Sequence, residues 1–216
     1  MMLIARPWTI LFVCLNTAPA FAQTASAVTA AGEALHYEID TGHSSLIFKV
    51  KRNGVSHFFG RFNKFSGTVE LLEHAGKVKG QVNLSIAVDS LDTGISARDN
   101  KLKSDPDLFA VSAFPEVTFV SKQIRKAGRD RFTVDGDLSF RGISQPIRFV
   151  AQRLGATRDA KGGGMAGFEA VIPFSRGRFG MTGMAGSISD EAEVTVSLAC
   201  VLKAPPAPEA TTEAAK

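Results

Sequence analysis

Along most of the chain, apolar and polar residues alternate with a period of two. Leu46, Phe48 and Val50 alternate with Ser45, Ile47, Lys49 and Lys51. Val82, Leu84, Ile86 and Val88 are spaced by Asn83, Ser85 and Ala87. The same rhythm returns at Val117 and Phe119, at Leu138 and Phe140, and at Ile147, Phe149 and Ala151. It recurs at Phe168, Ala170, Ile172 and Phe174, and closes with Val194 to Leu202. Alternate side chains of a strand point to opposite faces, so each set marks one apolar strand face. Turn residues separate the sets: His74-Ala75-Gly76, Gly128, Gly142 and the run Gly162-Gly163-Gly164. Seven or eight antiparallel strands with one apolar face make a sandwich or a barrel. The length of the strands and the many Phe on their apolar face favour a barrel with a deep interior.

A polar island from Asp92 to Ser104 breaks this rhythm. Ser96 with Asp99 three positions on has the form of a helix N-cap with an acidic first turn. Pro106 stops that helix and starts a second short turn behind Asp105. The apolar pair Leu108-Phe109 follows. One or two short helices near 96–109 in an otherwise all-β domain predict a lid or plug for the barrel.

The two ends do not share the pattern. Arg6, an apolar run from Trp8 to Leu15, and Ala20-Phe21-Ala22 have the layout of a secretory signal over residues 1–22, cleaved before Gln23. The apolar run is too short to span a bilayer. A periplasmic or secreted location is therefore expected. Residues 23–34 are rich in Ala, Thr and Ser, and the tail from 204 to 216 is rich in Pro and Ala; both are expected to be flexible. Residues 35–203 remain as one domain, long enough for a core without staples.

Composition narrows the function. Loss of Arg6 with the leader lowers the net charge from +4 to about +3. That permits transient contact with an anionic membrane surface but supplies no basic tract for nucleic acid. Of the two cysteines, Cys14 leaves with the leader, so Cys200 has no partner for an internal disulfide. It shares the parity of Val194, Val196, Leu198 and Leu202 and is expected to be buried. No Cys/His cluster has zinc spacing, and no cofactor is required. Sixteen Phe stand beside one Tyr and one Trp. An outer-membrane barrel needs Tyr and Trp girdles, which this chain lacks.

The apolar parity set is Phe48, Val50, Phe62, Val82, Leu84, Phe119, Phe140, Phe149, Phe168 and Ile172. It lines either a ligand chamber or a fully packed core; a barrel of eight strands is just wide enough for both. His43 beside Ser44 lacks the third orienting group of a nucleophilic site. His36, His57 and His74 stand isolated among polar or turn residues. Met181 and Met184, among Gly180, Gly183 and Gly186, form either a soft lip over a ligand or a plain loop.

Further residues carry a resemblance. Tyr37-Glu38-Ile39-Asp40, His43-Ser44, Gly60-Arg61-Phe62 and Phe65-Ser66-Gly67 are followed by Asp89-Ser90-Leu91-Asp92-Thr93 and Arg98-Asp99. Leu102-Lys103-Ser104, Phe114-Pro115, Gly136-Asp137-Leu138, Phe174-Ser175-Arg176 and Phe179-Gly180 complete the set. Together these resemble the YceI-like family of polyisoprenoid-binding, lipocalin-like exported proteins. The resemblance implies a single antiparallel barrel of about eight strands around an extended lipid, such as an isoprenoid quinone or a polyprenyl compound. It implies a carrier or store, not a catalyst. A quinone-linked redox partner or enzyme, and a packed stress-related protein without ligand, are the alternatives. A homodimer stays open. Where the family commonly carries His, this chain has Arg52, Lys101 and Arg141. With Arg176, these are the candidates for an anionic head group; the plain alternative is that they are solvated surface charges.

Overall fold

The computed structural model describes residues 34–159 and 163–203. The predicted leader, nearly all of the segment 23–34, Gly162 of the glycine run and the tail from 204 lie outside the described residues. Strand β1 (Leu35–Arg52) is the spine. Antiparallel neighbours follow it around the wall: β10 (Ile188–Lys203), β9 (Gly164–Ser175), β8 (Ile143–Arg158), β7 (Arg131–Phe140), β6 (Glu116–Lys126), β4 (Lys77–Ala87) and β3 (Phe65–His74). Strand β3 returns to β1 over Leu35–Glu38 and closes an eight-stranded barrel. Beyond it, β2 (Ser56–Phe62) covers Leu46–Arg52 of β1. The short β5 (Leu91–Asp92) pairs with the end of β2.

The alternating sets are the strand faces. Leu46, Phe48 and Val50 are buried while Lys49 and Ile47 point outward. Bulges interrupt this regularity in β1, β6 and β8, and at two of them a buried serine supplies what the ladder loses. In the β1 bulge, Ser44 Oγ donates to the Asp40 carbonyl at 2.6 Å and accepts the Ala199 N–H at 2.9 Å. In β6, Ser121 Oγ accepts the Val82 N–H at 2.7 Å. Both repairs satisfy backbone groups that would otherwise be buried and unpaired. Two glycines make room for large rings: a Cβ on Gly60 would overlap the Phe48 ring, and one on Gly136 would overlap Phe119.

The predicted helix exists as α1 (Ser96–Ser104), but its cap differs from the expectation. Ile95 occupies the N-cap, no side chain caps the helix, and Ser96 is already its first residue. The chain arrives through a turn at Gly94, where φ is 81° and the N–H donates to Asp92 Oδ1 at 2.8 Å. That geometry delivers Ile95 in an extended conformation. Asp99 instead accepts the Thr93 N–H at 2.9 Å and the Thr93 hydroxyl. Arg98 Nε donates to Thr93 Oγ1 at 2.8 Å and its Nη2 to the Thr93 carbonyl at 2.6 Å. The adjacent pair thus braces the turn into the helix from both sides. Pro106 does follow the helix end, and Asp105 accepts the Asp107 N–H in a short turn.

The two ends of the barrel differ. One carries the β3–β4, β6–β7 and β8–β9 turns together with the start of β1 and the end of β10. We call it the floor. The other carries the β1–β2 hairpin, α1, residues 105–115, the β7–β8 hairpin and the loop between β9 and β10. We call it the mouth.

Candidate functional site

Side chains do not fill the barrel. They leave a cavity of about 630 Å³, within the roughly 300–1,000 Å³ usual for ligand pockets. All ten residues of the apolar parity set border it: Phe48, Val50, Phe62, Val82, Leu84, Phe119, Phe140, Phe149, Phe168 and Ile172. The alternating positions are thus the inner face of the wall. Periodicity did not single out Val69 and Leu71 of β3, Ile124 of β6, or Phe132 and Val134 of β7, which border it too, and other lining comes from outside the strands. Leu102 of α1, Leu108, Phe109 and Met181 also border the cavity.

Phe109 forms the centre of an aromatic chain across the mouth. Its ring centroid lies 6.4 Å from Phe48, 5.9 Å from Phe62 and 5.9 Å from Phe140. Phe140 continues to Phe179 at 5.9 Å, and Phe179 to Phe174 at 6.3 Å. Such spacings suit edge-to-face and offset contacts. The predicted plug is thus the Phe109 turn rather than the helix, which buries none of its residues. Backbone bonds moor the turn: Phe109 N–H donates to the Leu102 carbonyl at 3.1 Å, Val111 N–H to Lys103 at 2.9 Å, and Gly183 N–H to Asp107 at 2.8 Å.

The four head-group candidates divide into two pairs. Arg141 spreads its guanidinium over three carbonyls: Leu108, Pro106 at 2.8 Å and Phe179 at 3.2 Å. It also lies 5.2 Å from the Phe114 ring centroid. Its donors latch the Phe109 turn to the β9–β10 loop. Arg176 is buried and donates to the carbonyls of Ser189 at 2.9 Å, Gly183 at 3.2 Å and Ile188 at 3.3 Å. Burial pushes its pKa down and the charge of Asp190 opposes that; an arginine stays protonated regardless. It organises the glycine-rich loop, though it also borders the cavity.

Arg52 and Lys101 are arranged differently. Both border the cavity and both are exposed. Among the described residues, neither pairs with a carboxylate. Arg98 joins them on the rim, stacked 4.5 Å above the Phe58 ring centroid. Its hydrogen bonds go to Thr93 and it makes no ion pair among the described residues. His57 borders the same opening. The place of Arg98 on the rim follows from the fold of β2 beneath α1. Met184 of the glycine-rich loop also borders the cavity.

The floor is sealed by paired charges. Arg153 binds Glu73 and, at 3.1 Å, Asp130, while Lys126 Nζ meets Glu73 at 3.1 Å. The Arg153 guanidinium lies 5.4 Å from the ring centroid of Phe132, a fully buried side chain. Burial works to raise the Glu73 pKa, but hydrogen bonds from Arg153 and Lys126 outweigh it and hold the carboxyl below its ordinary value. Of the remaining candidates, Cys200 is wholly buried, and burial pushes its thiol up to about 11. His43 sits 2.8 Å from Asp40 at the β1 bulge, and His36 lies 3.4 Å from Glu70 rather than alone. No group of three or more His, Cys, Asp or Glu could hold a metal among the described residues.

Comparison with known proteins bears on this chamber. Residues 37–200 match the family described as the YceI-like domain. A UPF0312 protein of Photorhabdus laumondii is 33% identical over 184 residues, covering 84% of this chain and 92% of that protein. Protein YceI of Salmonella arizonae is 31% identical over 172 residues, covering 79% and 88%. Among solved structures, Burkholderia cenocepacia BcnA superposes with a TM-score of 0.66 at 24% identity, over 74% of this chain and 98% of that one. A polyisoprenoid binding domain from Saccharophagus degradans, implicated in plant cell wall breakdown, gives 0.57 at 20% identity over 78% and 99%. At such identities the structural likeness is one of fold.

Proposed function

Because the chain belongs to the YceI-like domain family, we propose that it holds one long, slender lipid of the polyisoprenoid or isoprenoid-quinone kind and carries or stores it outside the cytoplasm. The observation that carries this reading is the cavity itself: it is walled by Phe, Val, Leu and Ile along its depth, and its cationic side chains gather at one end. Each isoprene unit buried there contributes roughly 4 kcal/mol gross at ~0.8 kcal/mol per carbon. Chain ordering and lost freedom offset most of that. Affinity then grows with chain length, and head-group preference is set at the rim. Arg52, Arg98 and Lys101 suit an anionic head such as a phosphate, since a guanidinium offers paired donors to its oxygens.

The named relative that binds a polyisoprenoid supports the class of cargo. The reading of a packed barrel without ligand has the cavity against it. The test is mass spectrometry of an organic extract from the protein, purified without detergent from the compartment to which it is exported. A stoichiometric isoprenoid supports the proposal; an extract without lipid from folded, monodisperse protein overturns it. Arg52→Ala with Lys101→Ala then addresses the head group. Affinity for a polyprenyl phosphate should fall about 10- to 100-fold, the loss of one or two charged hydrogen bonds, with the uncharged polyprenol unaffected. An equal loss for both would remove the head-group assignment while leaving the chamber.

A further inference from the structure

The mouth carries a second feature that enclosing a ligand does not require. Large apolar side chains face solvent there, the most exposed being Val55 at 85%, Phe59 at 55%, Ile95 at 53% and Met184 at 44%. Val55 is the tip of the β1–β2 hairpin, in the turn where Asn53 (φ 49°) and Gly54 (φ 71°) take left-handed conformations. The Asn53 N–H donates to the Ser187 carbonyl at 2.7 Å, so the hairpin is tied to the loop that bears Met184. Ile95 precedes α1, whose Arg98 rests on the β2 residue Phe58. Phe59 is the next residue of β2, on its outer face. Along Ser56–Gly60 that strand pairs only with β1, and its other edge has no strand neighbour among the described residues. Arg52 ends β1 just before this hairpin, and Arg98 and Lys101 follow Ile95 on α1; all three border the cavity without carboxylate partners among the described residues.

We propose that the mouth docks on an anionic lipid surface, with Val55, Phe59, Ile95 and Met184 entering the boundary between head groups and acyl chains. The chemistry matches on both counts. Protruding apolar residues gain by leaving water at that boundary, and cations near an anionic leaflet gain from its negative potential. The cavity opens at the same end: Met184 and the three cations border it. Docked this way, the barrel passes a lipid chain between bilayer and cavity without exposing it to bulk water. This last step rests on the carrier reading; the docking does not.

The test uses the full chain with Trp8→Phe, which removes the sole native tryptophan, and one introduced reporter. Val55→Trp places the reporter at the mouth. Leu154→Trp places it on β8 toward the floor, at a site that is also apolar and 59% exposed. Vesicles contain phosphatidylglycerol and phosphatidylcholine, with brominated acyl chains as quencher and no isoprenoid. We expect the emission of the Val55→Trp variant to shift to the blue and to be quenched, and that of the Leu154→Trp variant to stay unchanged. Any binding through the predicted leader is common to both variants. Binding should weaken roughly fivefold for each rim cation changed to alanine, and added salt should mimic that loss. Val55→Asp should abolish docking while retaining extractable lipid, because Val55 does not border the cavity. Equal quenching of both reporters, or none at the mouth, overturns the proposal. A blue shift that grows with protein concentration and ignores vesicles would assign the surface to a second copy of the chain instead. Docking is read here without cargo, so its failure leaves the lipid-extraction result standing, and the converse.

Discussion

The floor and the mouth are built from the same kinds of residue, used in opposite ways. At the floor, Arg153 and Lys126 meet Glu73 and Asp130, and the guanidinium covers the buried ring of Phe132. At the mouth, Arg52, Arg98 and Lys101 border the cavity and meet no carboxylate among the described residues. Aromatic rings divide in the same way. Phe132 is fully buried, whereas Phe109 is partly exposed and its ring contacts are with other rings of the opening. Charges that are neutralised in place close an end; charges left without partners, around a ring held by a turn, make an opening. Both ends are bordered by one apolar wall, so the difference lies in what terminates it.

The comparison predicts unequal costs for the same truncation. Phe132→Ala should destabilise by about 3–5 kcal/mol, the range for truncation of a fully buried ring. Phe109→Ala should cost well under half of that, since its ring is only partly buried and already meets solvent at the opening. It should instead speed exchange of bound lipid. Urea unfolding of both variants measures the first pair of values, and stopped-flow displacement of a fluorescent lipid measures the second. Equal destabilisation would make Phe109 an ordinary core residue and dissolve the distinction between stopper and floor.

Acid should weaken the floor through Glu73. The Glu73 carboxyl is held below its ordinary value in the folded protein. A depressed folded pKa contributes stability that is complete above the unfolded glutamate value, about 4.3. That stability is lost as pH falls through the folded value. The pair is partly exposed, so the contribution is on the order of 1 kcal/mol after screening by solvent. Arg153→Met should therefore lower stability near neutral pH and flatten its acid dependence below about pH 4. An unchanged slope in urea titrations at both pH values would show that the Arg153–Glu73 contact contributes nothing to the seal.

Much of the wall was legible in the sequence, because a strand has one period and that period assigns a face. Phe48, Val82, Phe149 and the other seven residues of the parity set all border the cavity. Residues 56–74 were harder. There the wall passes from β2 to β3 across Asn63 and Lys64, and two glycines, Gly60 and Gly67, interrupt the pattern. Gly60 carries no side chain because the Phe48 ring lies over it, a reason that exists only between strands. The helix was legible and its cap was not, since the turn at Gly94 decides which residue arrives extended. The cations show the limit best. Arg52 and Arg141 look alike in sequence, and nothing local reveals that Arg141 reaches the carbonyls of Leu108, Pro106 and Phe179, contacts 33 to 38 residues away along the chain.

The smallest expected effect is the sharpest separation of the two ends. Arg52→Ala with Lys101→Ala removes two cations that have no carboxylate partner to lose among the described residues. No carboxylate is left uncompensated and no carbonyl is abandoned, unlike the case of Arg141 or Arg153. Folding stability should therefore change by no more than about 0.5 kcal/mol, the range for surface positions away from specific contacts. A small gain is as consistent as a small loss, because like charges around one opening repel and their removal relieves it. Thermal and urea unfolding of the double variant decide the point. A loss as large as that of Arg153→Met would mean that the rim cations brace the fold, as the floor cations do. If stability holds while polyprenyl phosphate affinity falls, the two residues are positioned for something outside the chain, and the mouth is a site rather than an unfinished seal.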